Sequence, residues 1–297
     1  MLDLRRLRLL SELSRRGTIA EVAGVVGYTP SAISQSLAQL ERETGVALLE
    51  RDGRRVRLTP AAHGLVAATD RVLAELDAAE AELAAEHATV RGEFVIGAFP
   101  SAAAGLVVPA LAALGERHPD LACVVREHEP EDGIQLLRSG ALDLLVSESY
   151  DDVPSAPIGG LESYRLITEP LLLVTAGDDS STLTDHRDAA WIAGIAGTQF
   201  AAALDVACAA AGFTPRVVHR ADDARLIQAL VASGLGIALL PALACAPATG
   251  VRYLEVAPAP PRRHVWALAR RGATRRPALA AALSALQEVE AVLLFSE

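Results

Sequence analysis

Apolar residues recur at helical spacing through the first part of the chain and give way to short apolar blocks beyond it. Ile33, Leu37 and Leu40 stand at spacings of four and three, the stripe of an amphipathic helix, and leave Ser31, Ser34, Gln35, Ala38 and Gln39 on its other faces. Local signals set its limits. Thr29 suits an N-cap, Pro30 the first turn, and Gly45 a left-handed end, which predicts a helix from Pro30 to about Thr44. A shorter helix precedes it, because Thr18-Ile19-Ala20-Glu21 has the form of a capping box and Gly27 can close the helix. After it, Val46 to Thr59 reads as two short strands around Asp52-Gly53, a dipeptide favoured in tight hairpin turns. Thr59-Pro60 then starts a long helix to about Thr89, where Leu65, Thr69, Val72, Leu76, Ala79, Leu83 and Glu86 alternate at four and three like a coiled-coil seam.

Beyond Val90-Arg91-Gly92 the pattern predicts strands at Phe94–Ala98, Ala122–His128, Leu142–Ser147, Pro170–Thr175 and Trp191–Ile195. Further strands are expected at Arg216–Arg220, Gly236–Leu240, Arg252–Val256 and His264–Ala269. Helices fall between them near Ala104–His118, Glu131–Arg138, Phe200–Ala211 and Asp223–Ser233, with a last one near Arg275–Leu294. Short apolar strands separated by amphipathic helices indicate parallel α/β sheets.

Two short capped helices followed by a hairpin carrying Arg51, Arg54, Arg55 and Arg57 have the layout of a winged helix-turn-helix. Small or uncharged side chains at Thr29, Pro30, Ser31, Ser34 and Gln35, hydrogen-bonding at all but Pro30, suit a helix that enters a major groove, and the arginines suit phosphate contact. A solvated edge hairpin guarded by charge is the alternative reading of those arginines. The net charge of −10 opposes nucleic-acid binding, but it is unevenly spread. Residues 1–64 hold 10 Arg against 7 Asp and Glu, a net of +3, and the remainder holds 17 against 30, a net of −13. DNA contact is therefore expected of the amino-terminal head and not of the acidic body. All 27 basic residues are Arg and none is Lys, a bias that reads as a GC-rich coding genome and not as mechanism.

These residues resemble the LysR-type transcriptional regulators. The likeness rests on Leu4, Leu7 and Leu10, then Gly17-Thr18-Ile19-Ala20-Glu21-Val22-Ala23, Thr29-Pro30-Ser31-Ala32-Ile33-Ser34-Gln35, Leu40-Glu41, Gly45 to Arg51, and Leu58-Thr59-Pro60. It continues in Arg91 to Gly97, Gly140 to Val146 and Val231 to Pro241, and so spans nearly the whole chain. Tyr28-Thr29 stands where the family usually has Ser-Gln, and Glu50 where it has Phe; Thr29 thus replaces a frequent DNA-contacting Gln, so the operator preference is expected to differ. The resemblance implies a winged helix-turn-helix at 1–59, a dimerising linker helix at 60–89 and an α/β effector domain at 90–297. It further implies two Rossmann-like subdomains (90–163 with 268–297, and 164–267) crossed by two hinge strands, similar to periplasmic binding proteins. A homodimer or homotetramer would place two recognition helices on an interrupted inverted repeat of double-stranded DNA.

In such a fold a small-molecule effector sits between subdomains at the carboxyl ends of strands. By position this selects Ser101, Ala102, Ser147 and Glu148 in one subdomain and Thr198, Gln199, Phe200 and Asp222 in the other. Ser101, Thr198 and Asp222 also suit plain helix caps. No arginine is obviously aimed at the cleft, so a carboxylate effector would rely on N–H groups and hydroxyls. There is no GxSxG, HExxH, P-loop or strand-linked GxGxxG, so an enzyme is not expected, nor a cofactor or metal. Cys123, Cys208 and Cys245 lack metal spacing and read as structural thiols, with a cysteine redox sensor as an alternative. The stretch from Leu226 to Val251 is broken by Ser233-Gly234, Gly236 and Pro241, and the amino terminus lacks a signal-peptide core, so a cytoplasmic protein without a membrane span is expected. A solute-binding or catalytic α/β protein that uses its helix-turn-helix for protein contacts is the competitor from another class.

Overall fold

The computed structural model describes residues 2–52, 55–86, 90–154, 159–177 and 180–294. The chain divides into two compact units, Met1–Leu83 with Arg271–Ala273, and Ala84–Arg270 with Thr274–Glu297.

The first unit opens with α1 (Leu4–Arg16), α2 (Ile19–Val26) and α3 (Pro30–Thr44). Each boundary has a local cause. Asp3 accepts from the Arg5 and Arg6 amides, Thr18 from the Glu21 amide at 3.3 Å, and Thr29 from the Ala32 amide at 3.3 Å. Gly17, Gly27 and Gly45 close the three helices with φ of 79°, 70° and 71°, a left-handed conformation that costs glycine little. Leu10, Leu13, Val22, Ile33, Leu37 and Leu40 are fully buried between the helices, where each large aliphatic contributes about 1.5–3 kcal/mol of burial. The wing is β1 (Leu49–Asp52) paired antiparallel with β2 (Arg55–Leu58); Asp52 faces Arg55, and Gly53-Arg54 lies outside the described residues. Glu41 ties the wing to α3, its Oε1 accepting from the Leu48 and Leu49 amides at 2.8 and 3.0 Å. The long helix α4 (Pro60–Glu86) starts at Thr59, whose hydroxyl donates to Ala47 O and accepts from the Ala62 amide. Along its seam Thr69 is buried, whereas Val72 and Leu76 are 48% and 40% exposed and Ala79 is also exposed; the side chains of Leu83 and Glu86 lie outside those described.

The second unit starts with β3 (Gly92–Ala98), a helical run built from α5 (Pro100–Ala102), a π turn at Ala103–Val107 and α6 (Val108–Arg117), then β4 (Leu121–Glu127), α7 (Pro130–Ser139) and β5 (Leu144–Tyr150). It continues with β6 (Leu161–Thr175), β7 (Ala190–Ala193), α8 (Gln199–Ala210), β8 (Arg216–Arg220), α9 (Ala224–Ala232) and β9 (Ala238–Pro241). β10 (Arg252–Glu255), β11 (Arg262–Arg270) and α10 (Pro277–Leu294) complete it. The sheet runs β10-β6-β11-β5-β3-β4, with β9 also on β6, and β7-β8 forms a separate parallel pair.

Two sequence expectations are corrected here. The sheet is mixed, because β3 lies parallel to β4 and β5 but every pairing of β6 and β11 is antiparallel. The strand expected at Pro170–Thr175 begins at Leu161, so β6 is a single long crossing strand. Its first part pairs with β11 up to Pro170, and from Leu171 onward it pairs with β9 and β10. Pro170 has no N–H to give to a ladder, and it sits where β6 changes partners. One curled sheet carried by β6 thus joins two α/β halves, and β11 lies between β6 and β5.

Candidate functional site

In the first unit the candidate site is the exposed side of α3. Thr29, Pro30, Ser31, Ser34 and Gln35 are all exposed, opposite the buried Ile33, Leu37 and Leu40. All three hydroxyls are engaged locally. Thr29 Oγ1 and Ser31 Oγ lie 3.0 Å apart, and Ser34 Oγ donates to Pro30 O at 2.9 Å. Gln35 is exposed and makes no such local bond among the described residues. Gln39 is instead held in a chain with Arg42 and Glu43. On the wing, Arg57 is exposed opposite Glu50. The side chains of Arg51 and Arg55, and Arg54 entirely, lie outside the described residues.

In the second unit a cavity of about 100 Å³ opens at the carboxyl ends of β3 and β5 and the amino ends of α7, α8 and α9. Of the positions expected from sequence, Ser101, Glu148, Thr198, Gln199, Phe200 and Asp222 line it. Ala102 and Ser147 do not. Ala102 is fully buried and Ser147 is 5% exposed, because each is turned to the inner side of its element by one step of helix or strand. Thr198 also caps α8, accepting from the Ala201 amide at 3.1 Å and donating to Ile195 O at 2.9 Å. Asp222 accepts from the Ile195 amide at 2.9 Å, and its neighbour Asp223 is the cap of α9. Gly194 permits this crowding, since a Cβ there would stand 2.9 Å from the Ala201 amide nitrogen and 2.7 Å from the Phe200 ring.

The expectation that no arginine faces the cleft is overturned. Arg263, 3% exposed on β11, lines the cavity at the centre of a buried network. Its Nε and Nη2 donate to Glu169 Oε1 at 2.9 and 2.6 Å, and its Nη1 donates to Ser101 Oγ and to Glu148 Oε2, both at 3.1 Å. The guanidinium also lies 5.0 Å from the centroid of the Phe99 ring. Glu169 Oε2 accepts from the Leu243 amide, so the cluster joins β5, β6, β11, the start of α5 and the turn after β9. Burial opposes the charge of Arg263, but Glu169, Tyr150 and Glu148 more than offset it and raise its pKa. Burial and Glu148 push the Tyr150 phenol well above its ordinary value. Sequence reading began the strand at His264 and so left Arg263 in a loop. Carrying the period of two back from the buried Val265 places Arg263 on the inner face, and the same period places Glu169 between the buried Ile167 and Leu171.

Comparison with known proteins decides the family. The model described as "LysR substrate binding domain" matches residues 87–291, and that of the "Bacterial regulatory helix-turn-helix protein, lysR family" matches residues 4–63. The chain belongs to the LysR family of transcriptional regulators. Among relatives of this LysR regulator is the "Transcriptional dual regulator GltC" of Bacillus subtilis (strain 168), 28% identical over 245 residues and covering 81% of each chain. The "DNA-binding transcriptional dual regulator OxyR" of Escherichia coli (strain K12) is 28% identical over 293 residues, 93% of this chain and 92% of the relative. Full-length BenM shares the fold with a TM-score of 0.60 at 20% identity, over 100% of this chain and 99% of that one. A full-length OxyR variant from Pseudomonas aeruginosa gives 0.64 at 22%, over 98% and 95%.

The LysR regulator therefore combines a DNA-binding helix-turn-helix with an effector-binding domain, in a family of regulators and not of enzymes. The OxyR likeness raises the question of its thiols. Burial raises the pKa of Cys123, pushes Cys208 to about 12 and, with Glu169 adding to it, Cys245 to about 12. The thiolate, the nucleophile that attacks peroxide, is then scarce at neutral pH. Among the described residues no helix is long and apolar enough to cross a membrane.

Proposed function

We propose that this regulator reads an interrupted inverted repeat as a homo-oligomer and that a small molecule in the cavity above Arg263 modulates that reading. The organisation is a DNA-binding head at 1–59, a dimerising helix at 60–89 and an effector domain at 90–297. In it Thr29, Pro30, Ser31, Ser34 and Gln35 approach base edges, and Arg51, Arg54, Arg55 and Arg57 contact phosphates. The effector is held by Ser101, Glu148, Thr198, Gln199, Phe200 and Asp222, with Arg263 added to that set. One observation carries the effector reading: the cavity is bounded by side chains from both α/β halves around one buried ion cluster on the crossing strands. A ligand that changed the contacts of this cluster would favour one arrangement of the halves over another, which is the differential affinity that any ligand-driven shift requires. Association through α4 is supported by Val72 and Leu76, large apolar side chains left 48% and 40% exposed on one face. Gel shift on the intergenic DNA upstream of the regulator's own gene tests the reading. Salt-sensitive retention of an inverted repeat, lost with Val72→Asp and Leu76→Asp together, is expected; retention indifferent to DNA sequence refutes it.

A further inference from the structure

A second cavity shares Tyr150 with the cleft and is the larger of the two, at about 480 Å³ against about 100 Å³. It is bounded by the end of β5, the turn at Leu183–His186, one face of α8 and the loop 256–261 between β10 and β11. Its depth is hydrophobic core. Tyr150, Leu171, Leu183, Ala203, Ala207 and Val256 line it and belong to one buried cluster. Two features of the sequence leave this space unfilled. On α8 the lining positions 203, 206, 207 and 210 fall on one face, and three of them are alanine where a leucine would close the gap. Opposite them the loop carries Pro258, Pro260 and Pro261, whose fixed φ resists collapse. Backbone bonds pin that loop at both ends, the Ala257 amide donating to Ser181 O at 3.0 Å and the Leu171 amide to Pro261 O at 2.7 Å. Protein interiors are close-packed, so a hollow of this size reaching core residues is an exception; small-molecule sites, at about 300–1,000 Å³, are where it recurs. Among the described residues that line it, the charged ones are Asp151, Asp152 and Arg262, all exposed and of both signs, and Asp151 is bonded to His264 Nε2 at 2.8 Å.

We propose that this cavity is a second small-molecule site of the regulator, for an uncharged and largely apolar ligand, and that its occupation is transmitted to the cleft through Tyr150. An apolar hollow stays dry and takes up apolar molecules of fitting size. Its buried wall offers no charge to pair with an ionised ligand, whereas Thr182 and Thr184 supply hydroxyls that suit a single hydrogen-bonding group. A flat protein surface would not reach the core residues at its base; a compact molecule does. The link to the cleft is one side chain. Tyr150 borders this cavity, and its phenol interacts with Glu148 and Arg263 in the buried cluster. A ligand packed against that residue bears on the groups that floor the cleft. The site stands whether or not the cleft itself takes an effector.

Fluorescence titration of the full chain tests the site with a matched pair of probes, the neutral N-phenyl-1-naphthylamine and its anionic analogue 1-anilinonaphthalene-8-sulfonate. Saturable binding is expected, tighter for the neutral probe. Ala210→Trp, at an exposed position of α8 that lines the cavity, should weaken the neutral probe at least about ten-fold by occupying its space. Ala207→Leu should act likewise from the core side. Ala209→Trp, exposed on the same helix but outside the lining, should leave binding unchanged and so separates this site from probe held elsewhere on the surface. Gel shift with the neutral probe at saturation should show altered operator affinity in the parent chain and not in Tyr150→Phe, which keeps the ring and removes the hydroxyl. No saturable binding, equal or tighter binding of the anionic probe, or binding that Ala210→Trp and Ala207→Leu both leave intact would each overturn the site. A change of oligomeric mass in Ala210→Trp without a change in probe binding would make the hollow a contact between copies and overturn it too. Operator affinity indifferent to the bound probe would overturn the link through Tyr150.

Discussion

The recognition helix and the floor of the cleft are both polar sites, but they are built in opposite ways. Thr29, Pro30, Ser31, Ser34 and Gln35 lie within about two turns at the start of a single helix, are exposed, and are held by their own backbone and each other. Arg263 meets partners 94, 115 and 162 positions away in Glu169, Glu148 and Ser101, and both it and Glu169 are 3% exposed. The difference teaches where each site stores its energy. In the head, substitution of these exposed side chains is expected to leave the fold intact. In the cleft, the same chemistry is part of the fold, because a buried charge that loses its partner remains buried.

Arg263→Ala sets the strongest test of that contrast. It removes the cation from beside the buried Glu169 and Glu148 and is expected to cost about 3–5 kcal/mol in urea unfolding followed by signals from the second unit. A cost below about 1 kcal/mol, the range of exposed pairs, would place the cluster with surface salt bridges and end the comparison. Gly194→Ala should come next, at about 1–3 kcal/mol for overpacking, since the new methyl meets the Ala201 backbone and the Asp222 carboxylate that border the cavity. Ligand titration should show weaker binding in this variant even where it stays folded.

On the other side of the comparison, Ser34→Ala and Gln35→Ala should leave the unfolding midpoint almost unchanged. They should reduce discrimination among operator variants by about 1–3 kcal/mol for each base contact removed. Arg57→Ala should instead weaken binding to every sequence alike and flatten the dependence of log K on log salt by about 0.9. Equal losses on all sequences from both kinds of substitution would dissolve the division between base and phosphate contacts. The smallest effect is expected of the thiols: Cys123→Ser, Cys208→Ala and Cys245→Ser together should leave operator binding before and after peroxide the same as in the parent chain. A peroxide response that this triple variant abolishes would make the OxyR likeness functional.

Legibility in the sequence followed the same division. Thr18, Thr29, Thr59 and the closing glycines Gly27 and Gly45 cap the elements they were expected to cap, because capping involves only a few neighbouring residues. The strand at Arg216–Arg220 was readable to the residue, and most others within a few positions. Glu41 was missed as the tie between α3 and the wing, since a partially exposed glutamate on a helix gives no sign that two amides of a later strand will point at it. Ala102 and Ser147 were placed in the cleft because the carboxyl end of a strand is known from sequence to within a residue or two. One residue is half a turn of a strand, enough to send a side chain to the other face.

By itself the sequence determined the family, the capped recognition helix, the long helix after Thr59 and the succession of strands and helices, all properties of local pattern and spacing. Only the tertiary structure decided that β6 and β11 run antiparallel through a mixed sheet, and that they carry Glu169 and Arg263 inward to meet Glu148 and Ser101. The physical reason is range. A cap or an amphipathic stripe is fixed by neighbours within a few residues, whereas the sign of the charge inside a cleft depends on which distant side chains the sheet order brings together and which of them are already paired.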